Sequence, residues 1–198
     1  MYIQLPKSIE KNNYVKHIRV FFWCLLAVII TNTVKFKSQA VQYPDGKLAF
    51  ESAVLLTDTH ATFSQVRARQ AKYYFDLELP DNVGEPLGKV TIKQRAGGDN
   101  VRFKLDKTKV YLGNHNNKRE ELSSTTLYDE ETGEIIVKLD RPIPPGSSLT
   151  IGLKPKRNPD YAGVYLFGVT AFPPGEESLG LYLGAGRLHF YQGGNFYR

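Results

Sequence analysis

Cysteine is almost missing from this chain of 198 residues: the single copy, Cys24, lies in a short apolar run near the N-terminus. Residues 41–198 therefore hold no disulfide and no thiol nucleophile. Long apolar runs are missing as well. The longest, Val20–Ile30 (VFFWCLLAVII), falls short of the roughly 18–20 residues that span a bilayer. No stretch carries a long 3.6-residue apolar stripe, which argues against a helical fold. Catalytic signatures are also absent. Residues 41–198 hold no G-x-S-x-G elbow, no S-x-x-K, no HxH or HExxH pattern and no EF-hand loop. Gly184-x-Gly186 lacks the rest of a dinucleotide fingerprint.

A strong charge of one sign is absent too, once the chain is divided. The formal net charge is +6. Lys7, Lys11, Lys16, Arg19, Lys35 and Lys37 face only Glu10 within residues 1–40, so five of those six charges belong to this segment. About one remains for residues 41–198, which implies no nucleic-acid surface.

Residues 1–40 read as a signal peptide. A basic stretch precedes the apolar run, and Ser38-Gln39-Ala40 puts small residues at the −3 and −1 positions of a cleavage site. The rival is a retained anchor, with membrane contact only through this segment. A lipobox would need a small residue before Cys24, and Trp23 stands there. The expectation is cleavage after Ala40, a single domain over 41–198, and a periplasmic or extracellular location.

Those residues alternate with period two. Tyr73, Phe75, Leu77 and Leu79 point one way, Asp76 and Glu78 the other. Val90/Ile92, Val101/Phe103/Leu105, Ile135/Val137/Leu139 and Leu149/Ile151/Leu153 repeat the pattern. Turn formers fall between the runs: Pro44–Gly46, Pro80–Asn82, Ala96–Asn100, Glu131–Gly133 and Pro144–Ser147. The best helical segment, Thr62–Gln70, is short. Val164–Phe172 is apolar on both faces, as a central strand is, and Gly184 and Gly186 mark a bulge or a close backbone approach. These features predict an all-β fold, a single antiparallel β-sandwich of Ig-like or Greek-key type, in preference to a small barrel.

Candidate chemistry is sparse. Asp58 and His60, two apart, suit either one face of a strand as a metal pair or a polar turn. His115, in Asn114–Asn117, reads as an exposed turn. Adjacent acids such as Glu120-Glu121 read as solvated faces. Asp45, Asp81, Asp99, Asp129, Asp140 and Asp160 sit by turns without a calcium motif. Tyrosine is plentiful, and a flat aromatic with a polar tip suits sugar rings or protein partners. The densest segment is Leu179–Tyr191, so Tyr182, Arg187 and Tyr191 are the expected binding residues. The alternative for this segment is a last core strand whose glycines ease its bend.

Several segments in order carry a resemblance: Tyr73–Pro80, Gly84–Ile92, Pro144–Pro155, Asn158-Pro159 with Gly163–Pro173, and Gly186–Tyr191. Together they resemble an uncharacterised family of exported cyanobacterial proteins, one of the domain-of-unknown-function families. The resemblance implies a stand-alone exported domain and no particular activity. The expected function is a non-enzymatic structural or binding role at the cell envelope, with no catalytic residues, metal or cofactor. The expected partner is an unidentified envelope protein or glycan. A hydrolase with a dispersed active site is the remaining alternative, marked by His189 beside a serine and a carboxylate.

Overall fold

Alternating side chains become ten strands in a computed structural model that describes residues 47–117 and 120–193. The expected leader, the cleavage site at Ala40, Cys24, the Pro44–Gly46 turn and the last five residues lie outside the described residues. The strands are β1 (Leu55–Ala61), β2 (Tyr73–Leu79), β3 (Leu87–Ala96), β4 (Lys109–Leu112), β5 (Glu120–Leu122), β6 (Ser124–Asp129), β7 (Glu134–Ile143), β8 (Ser147–Leu153), β9 (Gly163–Phe172) and β10 (Leu181–Phe190). They form two antiparallel five-stranded sheets, β1-β2-β8-β4-β5 and β10-β9-β3-β7-β6. The chain crosses between them repeatedly, at β2–β3, β3–β4, β5–β6, β7–β8 and β8–β9. The fold is the expected β-sandwich.

The inner faces bury Tyr73, Phe75, Leu77 and Leu79 against Tyr165, Phe167 and Val169 of the other sheet. Apolar area removed from water drives this layer pairing. Both lateral edges are joined. Only Ser123 separates β5 from β6, so the chain passes directly from one sheet to the other. At the opposite edge Tyr191 N–H donates to the Ser64 carbonyl (2.8 Å) and Val66 N–H to the Tyr191 carbonyl (3.0 Å). These links protect edge strands from pairing with other chains. A Cβ at Gly186 would stand 2.3 Å from Thr59 Oγ1, so glycine there lets β10 approach β1. Gly184 has φ +104° at a register shift in the β9–β10 ladder, the expected bulge. Gly133, φ +70°, closes the expected β6–β7 hairpin by donating to the Asp129 carbonyl.

Two local expectations fail. Residues 62–70 form no helix. Side chain and backbone of other segments claim their polar groups: Asn158 Nδ2 donates to the carbonyls of Phe63 (2.8 Å) and Gln65 (2.7 Å), and Arg67 N–H donates to the Pro159 carbonyl. Tertiary hydrogen bonds override a marginal propensity in so short a stretch. Residues 101–105 form no strand either. Phe103 makes one bridge to Pro155, and a 3₁₀ turn begins at Leu105. Its ring is still directed inward, edge-on to Tyr73 (5.7 Å) and Phe167 (6.1 Å).

Tyr165, at the start of β9, is fully buried. Its hydroxyl donates to Asp99 Oδ1 (2.8 Å) and lies 3.0 Å from the Tyr161 carbonyl four residues upstream. This is the tyrosine corner of Greek-key sandwiches. Burial, then the bond to Asp99, pushes its hydroxyl up from 10.0 to about 12. Burial raises the Tyr73 hydroxyl as well. The folded state thus holds protons that the unfolded chain releases near pH 10, so stability is complete below pH 10 and falls as pH rises through 12. Thermal melts should show a flat melting temperature from pH 7 to 9 and a steep loss above pH 10. Tyr165→Phe should flatten that loss. A loss of equal steepness in the variant would remove Tyr165 as its source.

Candidate functional site

The outer face of the β10-β9-β3-β7-β6 sheet carries the residues that the sequence singles out. Tyr182 and Tyr191 are more than half exposed, and Arg187 is exposed between them. Strand alternation puts Arg187, His189 and Tyr191 on one side, and the His189 and Tyr191 rings stack at 6.4 Å with 20° between planes. His189 is therefore part of an aromatic platform. Tyr182 reaches over the neighbouring strand instead. A Cβ at Gly168 would lie 2.9 Å from Arg95 Nε and 3.2 Å from the Tyr182 ring, so both side chains close over that glycine. The Arg95 guanidinium stands 6.0 Å from the Tyr182 ring centre, and Lys89 Nζ stands 4.1 Å from that of Phe172.

Cations accumulate on this face. Lys89 and Lys138 are direct partners across β3 and β7, and like charges directly opposite repel. Burial, with Lys138 adding to it, pulls the Lys89 ammonium below its ordinary value, while Glu134 opposes the shift. A cleft of about 640 Å³ lies at one end of the sandwich, lined among others by Lys93, Arg102, Phe103, Tyr128 and Lys156. The strand carries the bulge, Tyr182 and Tyr191 are exposed on it, and its Leu188 and Phe190 are core residues. Leu179–Tyr191 is at once a core strand and a presented surface.

The outer face of the other sheet shows what the sequence did not reveal. Asp76 points away from the core, as expected, yet it is only 2% exposed. Its Oδ1 accepts from the Thr150 hydroxyl (2.8 Å) and its Oδ2 from the His115 backbone N–H (3.1 Å), with the His115 ring Nδ1 in close contact. His115 is therefore not an exposed turn residue. The loop after β4 folds it onto the sheet, against the His60 ring at 4.1 Å between centres. His60 Nδ1 lies 3.1 Å from Asp58 Oδ2, and His115 Nδ1 lies 3.6 Å from the same oxygen. Asp58 and His60 share a strand face, as one of the two sequence readings has it. The signal missed was Asp76: a wet-face carboxylate beside tyrosines gives no sign that a distant loop will cover it.

The other acids behave as solvated or structural groups. Glu120 pairs with Arg141 and Glu121 with Lys109 at exposed positions. The Asp129 carboxylate accepts from the Glu131 and Thr132 N–H groups, and the bonds from Thr132 hold it below its usual range.

A sandwich of two five-stranded antiparallel sheets, with a tyrosine corner and two decorated outer faces, is the class that this architecture defines. Within that class, the chain belongs to the family described as "Protein of unknown function (DUF2808)", matched over residues 47–190. No curated protein matches it. Among solved structures it is similar to the collagen-binding domain from a Staphylococcus aureus adhesin, at 13% identity and TM-score 0.34, covering 60% of this chain and 87% of that one. It is also similar to the C-terminal domain of the Streptococcus pyogenes antigen I/II-family protein AspA, at 16% identity and TM-score 0.40, covering 67% of this chain and 46% of that one. A third is ACE19, the collagen-binding subdomain of the Enterococcus faecalis surface protein ACE, at 6% identity and TM-score 0.40, covering 66% of this chain and 94% of that one.

Proposed function

We propose that the chain is an exported, non-enzymatic binding module that holds an acidic glycan of the cell envelope on its β10-β9-β3-β7 face. The carrying observation is the composition of that face. Exposed Tyr182 and Tyr191 offer flat stacking surfaces, while Arg95, Arg187 and the opposed pair Lys89/Lys138 supply positive charge. Sugar rings stack on aromatic faces, and uronate carboxylates relieve the repulsion between opposed lysines. Export rests on the basic, apolar and small-residue order of residues 1–40. An envelope protein is the competing occupant.

Calorimetric titration of the chain with alginate oligosaccharides, against neutral dextran, tests this reading. The expected result is binding to the polyuronate alone, weakened at least about tenfold by Tyr182→Ala with Tyr191→Ala, since each stacking contact contributes about 1 kcal/mol or more. The melting temperature should not change, because both rings face solvent. Equal binding to dextran, binding that survives the double substitution, or no binding to either polymer contradicts the reading.

A further inference from the structure

The geometry points to a divalent metal site on the opposite outer face, formed by Asp58, His60 and His115 and supported by Asp76. This site is independent of the glycan surface. Its residues come from three separate segments: Asp58 and His60 from β1, Asp76 from β2, and His115 from the loop after β4. One donor atom each from Asp58, His60 and His115 lies within 4.8 Å of the others. The two measured nitrogen–oxygen separations, 3.1 and 3.6 Å, bracket the spacing of about 3.3 Å between ligands at ~2.0 Å from a tetrahedral ion.

Charge makes the stronger argument. Asp58 and Asp76 are direct register partners across β1 and β2, where like charges destabilise a sheet. Both aim an oxygen at the same nitrogen, His115 Nδ1, which carries at most one proton. Among the described residues no lysine or arginine pairs with either carboxylate; their ion-pair partners are His60 and His115. Asp76 is buried, so its charge is not diluted by solvent. A divalent cation held by Asp58 and the two imidazoles neutralises both carboxylates at once.

Asp76 is a positioning residue. It grips the His115 backbone N–H and ring and is itself held by the Thr150 hydroxyl. Once His115 Nδ1 binds the ion it has no proton to give Asp76, so Asp76 positions the imidazole through the His115 backbone N–H. Two imidazoles with one carboxylate favour a borderline ion such as Zn²⁺ over Ca²⁺ or Mg²⁺, which prefer all-oxygen sets. The side chains of Asp58, His60 and His115 remain 48%, 32% and 24% exposed, so an ion has a path in and water can complete its shell.

The test is calorimetric titration of the untagged full chain, stripped with chelator, with ZnCl₂ and separately with CaCl₂. Co²⁺ absorption serves as a second readout. We expect one Zn²⁺ per chain that depends on this cluster, no comparable Ca²⁺ binding, and tetrahedral Co²⁺ bands. His60→Gln with His115→Gln should abolish that binding while leaving the circular dichroism of the metal-free chain unchanged. Asp76→Asn should weaken it by about 10–100-fold and alter the Co²⁺ bands, a change that a merely structural role would not produce. Zn²⁺ binding that survives the double histidine substitution, equal affinity for Ca²⁺, or no binding at all overturns the site. An Asp76→Asn variant with unchanged affinity and Co²⁺ spectrum overturns the positioning role.

Discussion

Phe167→Ala is expected to cost about 3–5 kcal/mol of stability, the range for truncating a well-packed buried phenylalanine. Phe167 is 1% exposed and sits where the two sheets meet. Its ring is 6.0 Å from Tyr73, 6.1 Å from Phe75 and 6.1 Å from Phe103, measured between centres. These neighbours come from β2 and from the irregular segment before the 3₁₀ turn, so no single element can collapse into the space left behind. For a domain of this size the loss lowers the melting temperature by on the order of 10 °C. Val164→Ala, on the same strand but 42% exposed, provides the contrast at under about 0.5 kcal/mol. Urea melts of both variants decide it. Similar losses would mean that the inner and outer faces of β9 are wrongly assigned.

The second large effect is expected at Asn158, which is 1% exposed. Its side-chain oxygen accepts from the Tyr73 hydroxyl (2.9 Å), and its amide donates to the Phe63 and Gln65 carbonyls. Asn158→Ala leaves a buried hydroxyl and two carbonyls without these partners, and each unsatisfied buried group costs roughly 1–3 kcal/mol. Carbonyls near the surface recover some of this from water, so a total of about 3 kcal/mol is expected. Tyr73→Phe alone removes one hydroxyl and should cost about 1 kcal/mol. The double variant should cost less than the sum, because the two changes share one bond. Strict additivity in urea melts would show that the Tyr73–Asn158 bond contributes nothing.

Strand periodicity made the sandwich legible. Tyr73, Phe75, Leu77 and Leu79 all lie on the buried face that their spacing assigns, and the Glu131–Gly133 turn is the β6–β7 corner. Gly184 and Gly186 were legible in kind: one marks a bulge, the other a close approach. The failures share one cause. Thr62–Gln70 and Val101–Leu105 were read from their own residues, but Asn158, Tyr191 and Pro155 determine their conformation from far along the chain. The metal cluster was hidden in the same way. Asp58 and His60 declare themselves by spacing, whereas Asp76 and His115 join them only through strand pairing and a returning loop. Tyr182, Arg187 and Tyr191 stood out by the density of tyrosine and glycine in their segment; alternation puts Arg187 and Tyr191 on one face, and the register shift between Tyr182 and Gly184 changes the parity for Tyr182.

The most direct test of a sugar-binding outer face is to map where the ligand sits. An isotope-labelled chain titrated with alginate oligosaccharide would report this through amide chemical shifts. The account predicts shifts clustered at Arg95, Gly168, Tyr182, Arg187 and Tyr191, saturating together. Shifts confined to the cleft around Arg102, Tyr128 and Lys156, or spread without a cluster, would contradict it.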